Sequence, residues 1–340
     1  MGSVKDLVVL REPSVGEAGV GRFIFSDRYS VFDWGEMPDH IAEKGKAICV
    51  TTAYFFEKLE KLGVGTHYLG CVENGETKGL EELEEPTNVM EFRLLRVLKP
   101  RVVAGSYDYS SYRGEQKNFL IPLEVIYRNS LPEGSSIFKR LEEGTLRLED
   151  IGLNEPPVAG QVLEKPVLDV STKLESVDRY ITWEEAKKIC GLNEEEIEEM
   201  RRTTLFVNRL ITEEAEKAGL FNEDGKVEFG FDEERKLILV DTLGTLDECR
   251  FTYKGLPVSK EIARIYYRGT EWYKEVEKAK KRNRINWVNL VGVSPPSLPG
   301  ELANLISLIY KAYANQVTGR KWFEAPPLSK VLDRVKGFLE

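Results

Sequence analysis

The 340-residue chain predicts an α+β fold in three parts: an antiparallel β-rich N-terminal domain, a central α+β domain and a C-terminal helical extension. Three observations carry this. Residues 1–125 show period-two alternation enriched in β-branched and aromatic side chains, as half-buried strands do. Residues 126–255 mix that pattern with helical periodicity, and residues 256–340 are helical in pattern. The length allows two or three packed units, each with a core, so 125 and 255 are read as domain boundaries.

In the first part, residues 7–10, 22–25, 66–72, 89–98 and 117–126 read as strands. Residues 47–62 read as an amphipathic helix burying Ile48, Phe55, Leu59 and Leu62. Gly16, Gly19 and Gly21 resemble a phosphate loop, but a strand follows them. The helix N-terminus that would bind phosphate is therefore missing, and the glycines read as a turn. Trp34 reads as a core aromatic or, less simply, as a base-stacking one.

In the second part, residues 154–165, rich in Pro, Gly and acidic side chains, read as a connector. Thr182-Trp183-Glu184-Glu185 forms a capping box that opens a short helix ending before Gly191. A longer helix, 194–218, turns Ile197, Met200, Leu205, Val207 and Leu210 inward. Residues 226–230 and 237–240 flank a polar turn at 232–235 and make a β-hairpin. In the third part, helices are expected at 259–268, 271–282, 301–314 and 329–339, divided by the proline-rich stretch 294–300.

Composition narrows the function. A net charge of −9 argues against a nucleic-acid or membrane-surface partner, both of which favour basic patches. No apolar run approaches the ~20 residues of a membrane span, and no charged-then-apolar leader opens the chain, so a cytoplasmic location is expected. Cys49, Cys71, Cys190 and Cys249 lack the paired spacing of a zinc site or of a secreted disulfide framework. With only His40 and His67 present, acid–base chemistry falls to carboxylates and lysines. Abundant Glu and Lys with three Gln fit a thermophile surface.

The hairpin is the most informative stretch. Glu228 sits inside its first strand and Asp241 at the end of its second. Strands disfavour carboxylates, so two on paired strands need a reason. One is Mg²⁺, which takes one or two protein carboxylates and leaves its other positions to phosphate and water. The other is a solvent-facing hairpin edge. Arg128 and Ser135, flanking a Pro/Gly turn, likewise read either as an anion clamp or as a surface arginine near a glutamate.

Six blocks in order narrow these choices. Asp27-Arg28-Tyr29-Ser30-Val31-Phe32-Asp33 resembles the D-R-x-S-x-F-D signature of the SAICAR synthetase family. Lys44-Gly45, with the helix containing Tyr54-Phe55-Phe56-Glu57-Lys58-Leu59, is similar to its next block. The strand with Glu124 and Arg128, closing at Gly134-Ser135, resembles V-P-x-E-x-x-x-R…G-S. Ser171-Thr172-Lys173 with Asp178, Lys226-Val227-Glu228-Phe229-Gly230, and Asp241…Asp247…Arg250 resemble the remaining three. The likeness runs over residues 1–268. Ser3 stands where the family has a lysine, leaving Lys5 as its partner in that segment. Thr242 and Leu246 replace an acidic residue and a proline, the loop from Arg128 to Ser135 is one residue longer, and the chain continues as in the long archaeal-type form.

The resemblance implies an ATP-binding central domain and an ATP-dependent ligase of purine biosynthesis. ATP would phosphorylate the carboxylate of carboxyaminoimidazole ribotide, and the amine of L-aspartate would displace phosphate to give SAICAR. It implies Lys226, Asp247 and Arg250 as catalytic, with Lys5, Lys44 and Glu124 at the nucleotide and Glu228 and Asp241 on Mg²⁺. Asp27, Arg28, Ser30, Asp33, Arg128, Ser135, Lys173 and Asp178 are implied in substrate binding, with Arg128 and Ser135 on the ribose phosphate. Two other classes stay open: a carboxylate–amine ligase with another substrate, and a non-catalytic nucleotide-binding paralogue. The oligomeric state is open, a homo-oligomer included. The helices beyond Thr270, with Leu302, Leu305, Ile306, Ile309 and Tyr310, are expected to pack on the core or a second subunit without supplying a catalytic group.

Overall fold

The structure, a computed structural model, describes residues 4–114, 117–258, 260–283 and 286–339. Ser3 and Ser259 lie outside the described residues. Strands β1 (Lys5–Arg11) and β2 (Gly19–Phe25) pair antiparallel through the glycine-bearing turn. A side chain at Gly19 would collide with the Arg11 carbonyl, which explains a glycine where the two strands close. Helix α1 (Lys44–Lys61) follows, then β3 (Tyr68–Glu73), β4 (Glu76–Lys78) and β5 (Val89–Leu94). They complete a five-stranded antiparallel sheet in the order β1-β2-β5-β3-β4. Ile48, Phe55 and Leu59 of α1 are buried, but Leu62, expected in the same stripe, is 55% exposed because the helix ends one residue earlier.

A ribbon of β6 (Arg101–Val103) and β7 (Ser106–Asp108) and a turn of helix, α2 (Ser110–Arg113), lead into β8 (Phe119–Leu131). The boundary expected at 125 therefore falls inside a strand. After α3 (Ser136–Glu142), strand β9 (Gln161–Thr172) takes up the last five residues of the expected connector. Next come β10 (Tyr180–Ile181), α4 (Trp183–Cys190) and α5 (Glu194–Lys217). The Thr182 hydroxyl accepts from the Glu185 amide at 3.1 Å, and Gly191 ends α4 at φ 64°. Leu205 of α5 is exposed, since the helix buries Ile197, Met200, Thr204, Val207 and Ile211, and Leu205 lies off that face.

Strands β11 (Phe221–Phe231), β12 (Leu237–Val240), β13 (Cys249–Tyr253) and β14 (Leu256–Pro257) complete a second sheet. Its order is β10-β9-β8-β11-β13-β14, with β12 also pairing β11. The hairpin of β11 and β12 sets Glu228 opposite Val240. Period two gives this sheet two characters. Val125, Tyr127, Val170, Val227 and Phe229 enter the hydrophobic core with Met200 and Val207 of α5. Their sequence neighbours, which point the other way, are largely charged.

Helices α6 (Glu261–Arg268), α7 (Glu271–Arg282), α8 (Gly300–Thr318) and α9 (Leu328–Leu339) close the chain. Helix α8 packs on α1 and carries α9, burying Leu302, Leu305, Ile306 and Ile309. Trp34 packs edge-on against Trp272 at 5.4 Å between ring centres and lies near Trp287, which places it in an aromatic cluster. No helix among the described residues is long and apolar enough to cross a membrane. Truncation before Ser294 strips four buried aliphatic side chains, each worth about 1.5–3 kcal/mol, from a fold whose net stability is of order 5–15 kcal/mol. An insoluble or strongly destabilised product is expected; a soluble truncate with unchanged melting temperature would contradict it.

Candidate active site

The charged face of the second sheet builds the site by register. Glu124, Ile126 and Arg128 alternate along β8; Asp224, Lys226 and Glu228 alternate along β11; Asp169 and Ser171 do so along β9. Pairing sets Arg128 beside Asp224, Ile126 beside both Lys226 and Asp169, and Glu124 beside both Glu228 and Ser171. On the far side, Asp224 pairs with Arg250 of β13. Gly225, between two of these residues, faces the core, where any side chain would strike the Tyr127 ring. The face opens on a cavity of about 240 Å³, lined by Glu124, Arg128, Asp178, Lys226, Asp247 and Arg250 among others. A larger hollow of about 840 Å³ along β9 and α5 gathers none of the motif residues.

Opposite charges interleave across this face. The Lys226 ammonium lies 2.8 Å from Glu124 and 3.3 Å from Glu248. Lys173 pairs with Glu228 and approaches Glu124 at 3.7 Å. Burial would weaken both lysines, yet the surrounding carboxylates hold them well above the ordinary range. Burial pushes Glu228 up to about 7, with Asp241 adding to the rise and Lys173 opposing it. Asp241 is about one-fifth exposed; burial works to raise its carboxyl, but Lys5, which pairs with it directly, and Lys173 hold it below the usual range. Glu228 and Asp241 therefore share one field, on hard oxygen donors that suit Mg²⁺. No group of three or more His, Cys, Asp or Glu side chains able to hold a metal occurs among the described residues. Phosphate-bound Mg²⁺ needs only one or two carboxylates.

Arg128 is buried, 2% exposed, and reaches Asp169 at 3.2 Å, Ser136 at 3.1 Å and the Tyr180 hydroxyl at 3.3 Å, with Asp224 at 3.7 Å. Its Nε has no partner. Arg140 meets the same Asp169 carboxylate at 2.5 Å and stacks 4.2 Å over the Tyr180 ring. Arg250 grips Asp224 in a two-pronged pair, with Nε at 2.8 Å. Asp178 lines the cavity with its pKa raised by burial and by Glu124.

Several motif residues serve elsewhere. The Asp27 carboxylate accepts from the Gly45 amide at 3.0 Å and from the Glu43 amide at 3.1 Å, tying down the start of α1 rather than facing the cavity. Ser135 caps α3 by accepting from the Ile137 amide, and its neighbour Ser136 meets Arg128 instead. Lys44, expected at the nucleotide, is buried with its ammonium 2.6 Å from Asp247. Arg28 bonds Asp6 and Ser26, Ser30 is half-buried in the same loop, and Asp33 is exposed beside Lys280.

Residues outside the motifs join the site: Asp169, Tyr180, Asp224, Glu248, Lys260 and Arg264. Asp224 was within reach of the sequence, because it precedes Lys226 by two and so shares its face. Lys260 and Arg264 gave no such signal, since they arrive just before and within helix α6. Burial lowers Lys260 below the ordinary lysine range, with Asp247 and Glu248 opposing. The extension, expected to supply no catalytic group, does touch the site's edge, since Tyr310 of α8 donates to Asp247 at 2.5 Å.

Known proteins bear on this arrangement. The SAICAR synthetase family profile matches residues 14–280. A chain from Archaeoglobus fulgidus, provisionally named a phosphoribosylaminoimidazole-succinocarboxamide synthase, is 53% identical over 340 residues, covering 100% of both chains. SAICAR synthase from Saccharomyces cerevisiae, solved with SAICAR, superposes with a TM-score of 0.63 at 22% identity, covering 95% of this chain and 94% of that one. A SAICAR synthetase solved with ADP superposes at 0.55 and 20% identity, covering 88% and 99%.

Proposed function

Because the chain belongs to the SAICAR synthetase family, we infer that it joins L-aspartate to the carboxylate of carboxyaminoimidazole ribotide at the expense of ATP, releasing SAICAR, ADP and phosphate. The carrying observation is the family match over 14–280, a span that contains the whole charged face of the second sheet. The relative named for this activity extends the likeness to the full chain. A ligase of another substrate and a non-catalytic paralogue have no comparable support.

The reaction asks a site to neutralise phosphate, to hold three anionic ligands together and to keep water from an acyl phosphate. Positioning and electrostatics supply most of this. Arg128 and Arg250 would hold the ribotide phosphate; both are already oriented by Asp224. Lys226 sits among carboxylates at the centre of the face, where it would meet the reacting carboxylate or the phosphoryl group in transit. Lys5 and Lys173 stand beside Asp241 and Glu228 and would pass their charge to phosphate oxygens. Glu228 and Asp241 would hold Mg²⁺, whose chemistry there is neutralisation of charge across the nucleotide phosphates. Lys44, turned to Asp247, would act on the site through that carboxylate. Phosphorylated metabolites as substrates fit a cytoplasmic location.

Purified protein supplied with ATP, Mg²⁺, the ribotide and L-aspartate should form the succinocarboxamide with equimolar ADP. ADP release that needs neither ribotide nor aspartate, or product with another amine in preference to aspartate, would overturn the reading.

A further inference from the structure

The described part of helix α8 lies beyond residue 280, where the family profile ends, yet it reaches the residues that flank the cavity. Four of its side chains reach such residues or the chain beside them, all from one face. Tyr310 donates to Asp247 Oδ1 at 2.5 Å, and Tyr313, one turn on, donates to the Gly244 carbonyl at 2.7 Å. Ser307 donates to the Ala42 carbonyl at 2.7 Å, and Lys311 pairs with Glu43 at 3.1 Å. The first two hold the stretch that carries Asp247; the last two hold the stretch that delivers Lys44. Lys44 completes the figure, with its ammonium on Asp247 Oδ2 at 2.6 Å and 5.4 Å from the centre of the Tyr310 ring.

We propose that Tyr310 is a positioning residue of the ligase site, fixing the Asp247 carboxylate against Lys44 so that its cavity-facing geometry is set by the C-terminal extension. The inference rests on the ligase reading. Both Asp247 oxygens are engaged, one by Lys44 and one by Tyr310, so the carboxylate cannot rotate without breaking a charge-assisted hydrogen bond. Burial of the pair strengthens each of these bonds. Lys44 and Tyr310 are buried, and Tyr313 anchors the backbone three residues before Asp247. A tyrosine in the core that needed only to fill space would not need a hydroxyl partner on the site loop. Phenylalanine would fill the same volume.

The charged and titratable groups facing Asp247 are Lys44 from α1, Lys260 at the start of α6 and Tyr310 from α8, with Glu248 beside it in the chain. Burial works to raise the Asp247 carboxyl, while Lys44, Lys260 and the Tyr310 hydroxyl keep it below the usual range. Removing the hydroxyl therefore moves its pKa upward.

Tyr310→Phe in the full-length protein should lower kcat for SAICAR formation roughly ten- to a hundredfold, the worth of one hydrogen bond to a charged group, with the KM for ATP little changed. The acid limb of the kcat profile should shift to higher pH, and the melting temperature should stay near that of the parent. Tyr313→Phe, which loosens the loop one step removed, should give a smaller loss without a pH shift. Parent activity with an unchanged pH profile in Tyr310→Phe overturns the proposal. So does a loss of activity that tracks a fall in melting temperature with the pH profile unmoved, because that marks a merely structural role. If the parent protein itself makes no SAICAR, the ligase reading fails, which is a distinct result.

Discussion

Asp241→Asn is expected to reduce SAICAR formation by roughly two orders of magnitude or more while leaving the protein folded. Asp241 closes the hairpin at φ 70°, a left-handed conformation that asparagine tolerates as readily as aspartate, so the backbone has no reason to move. Its Lys5 partner, about one-fifth exposed, keeps a carbonyl acceptor and some access to water. The change removes one of two carboxylates proposed to hold Mg²⁺, leaving Glu228 with half the protein's charge on the ion. The Mg²⁺ concentration for half-maximal rate should rise accordingly. The check is a Mg²⁺ titration of initial rate beside a thermal melt. A variant with the parent's rate and the parent's Mg²⁺ requirement would remove the metal site from Asp241.

Arg128→Ala should raise the KM for the ribotide by roughly one to two orders of magnitude, the loss of a charge-assisted hydrogen bond of ~1.5–3 kcal/mol, and change the KM for ATP little. The structure adds a second effect. Arg128 lies buried between Asp169 and Asp224, so its removal leaves two buried carboxylates with only Arg140 and Arg250 to answer them. Breaking a buried pair in this way costs about 3–5 kcal/mol, so the melting temperature should fall as well. Arg128→Lys separates the two effects. It restores a charge but not the planar fork, and should recover stability more than ribotide affinity. Equal damage to both Michaelis constants in the lysine variant would place Arg128 away from the ribotide.

Much of the local structure was legible beforehand. The capping box at Thr182, the helix stop at Gly191 and the hairpin turn at 232–235 depend on contacts between near neighbours, and all three stand in the structure. A strand also stands where a helix would have been needed for phosphate, although it begins at Gly19 and takes in Gly21, so that only Gly16 is left in the expected turn. Apart from Leu205 in mid-α5, the misreadings of structure sit at element ends. Leu62 falls just past the last turn of α1, and β9 begins inside the expected connector, because where a strand starts depends on what pairs with it. Ser135 and Asp27 show the same limit for side chains. Both match a motif, and both also hold helix starts, a use that only backbone amides brought near them could reveal.

The sequence by itself determined which residues share a face, because side chains two apart on a strand point the same way wherever that strand lies. Asp224, Lys226 and Glu228 had to stand together, and so did Glu124 and Arg128. It also determined the family, through six blocks kept in order. Only the tertiary structure decided which charge meets which. Lys5 meets Asp241 across 236 residues of chain, Lys44 meets Asp247 across 203, and Tyr310 arrives from a helix beyond the residues the family profile matches. No periodicity encodes such pairs. They form where the packing of separate elements brings buried charges together, and burial then enforces them, since each carboxylate left without its cation would lose several kcal/mol of solvation with nothing in return.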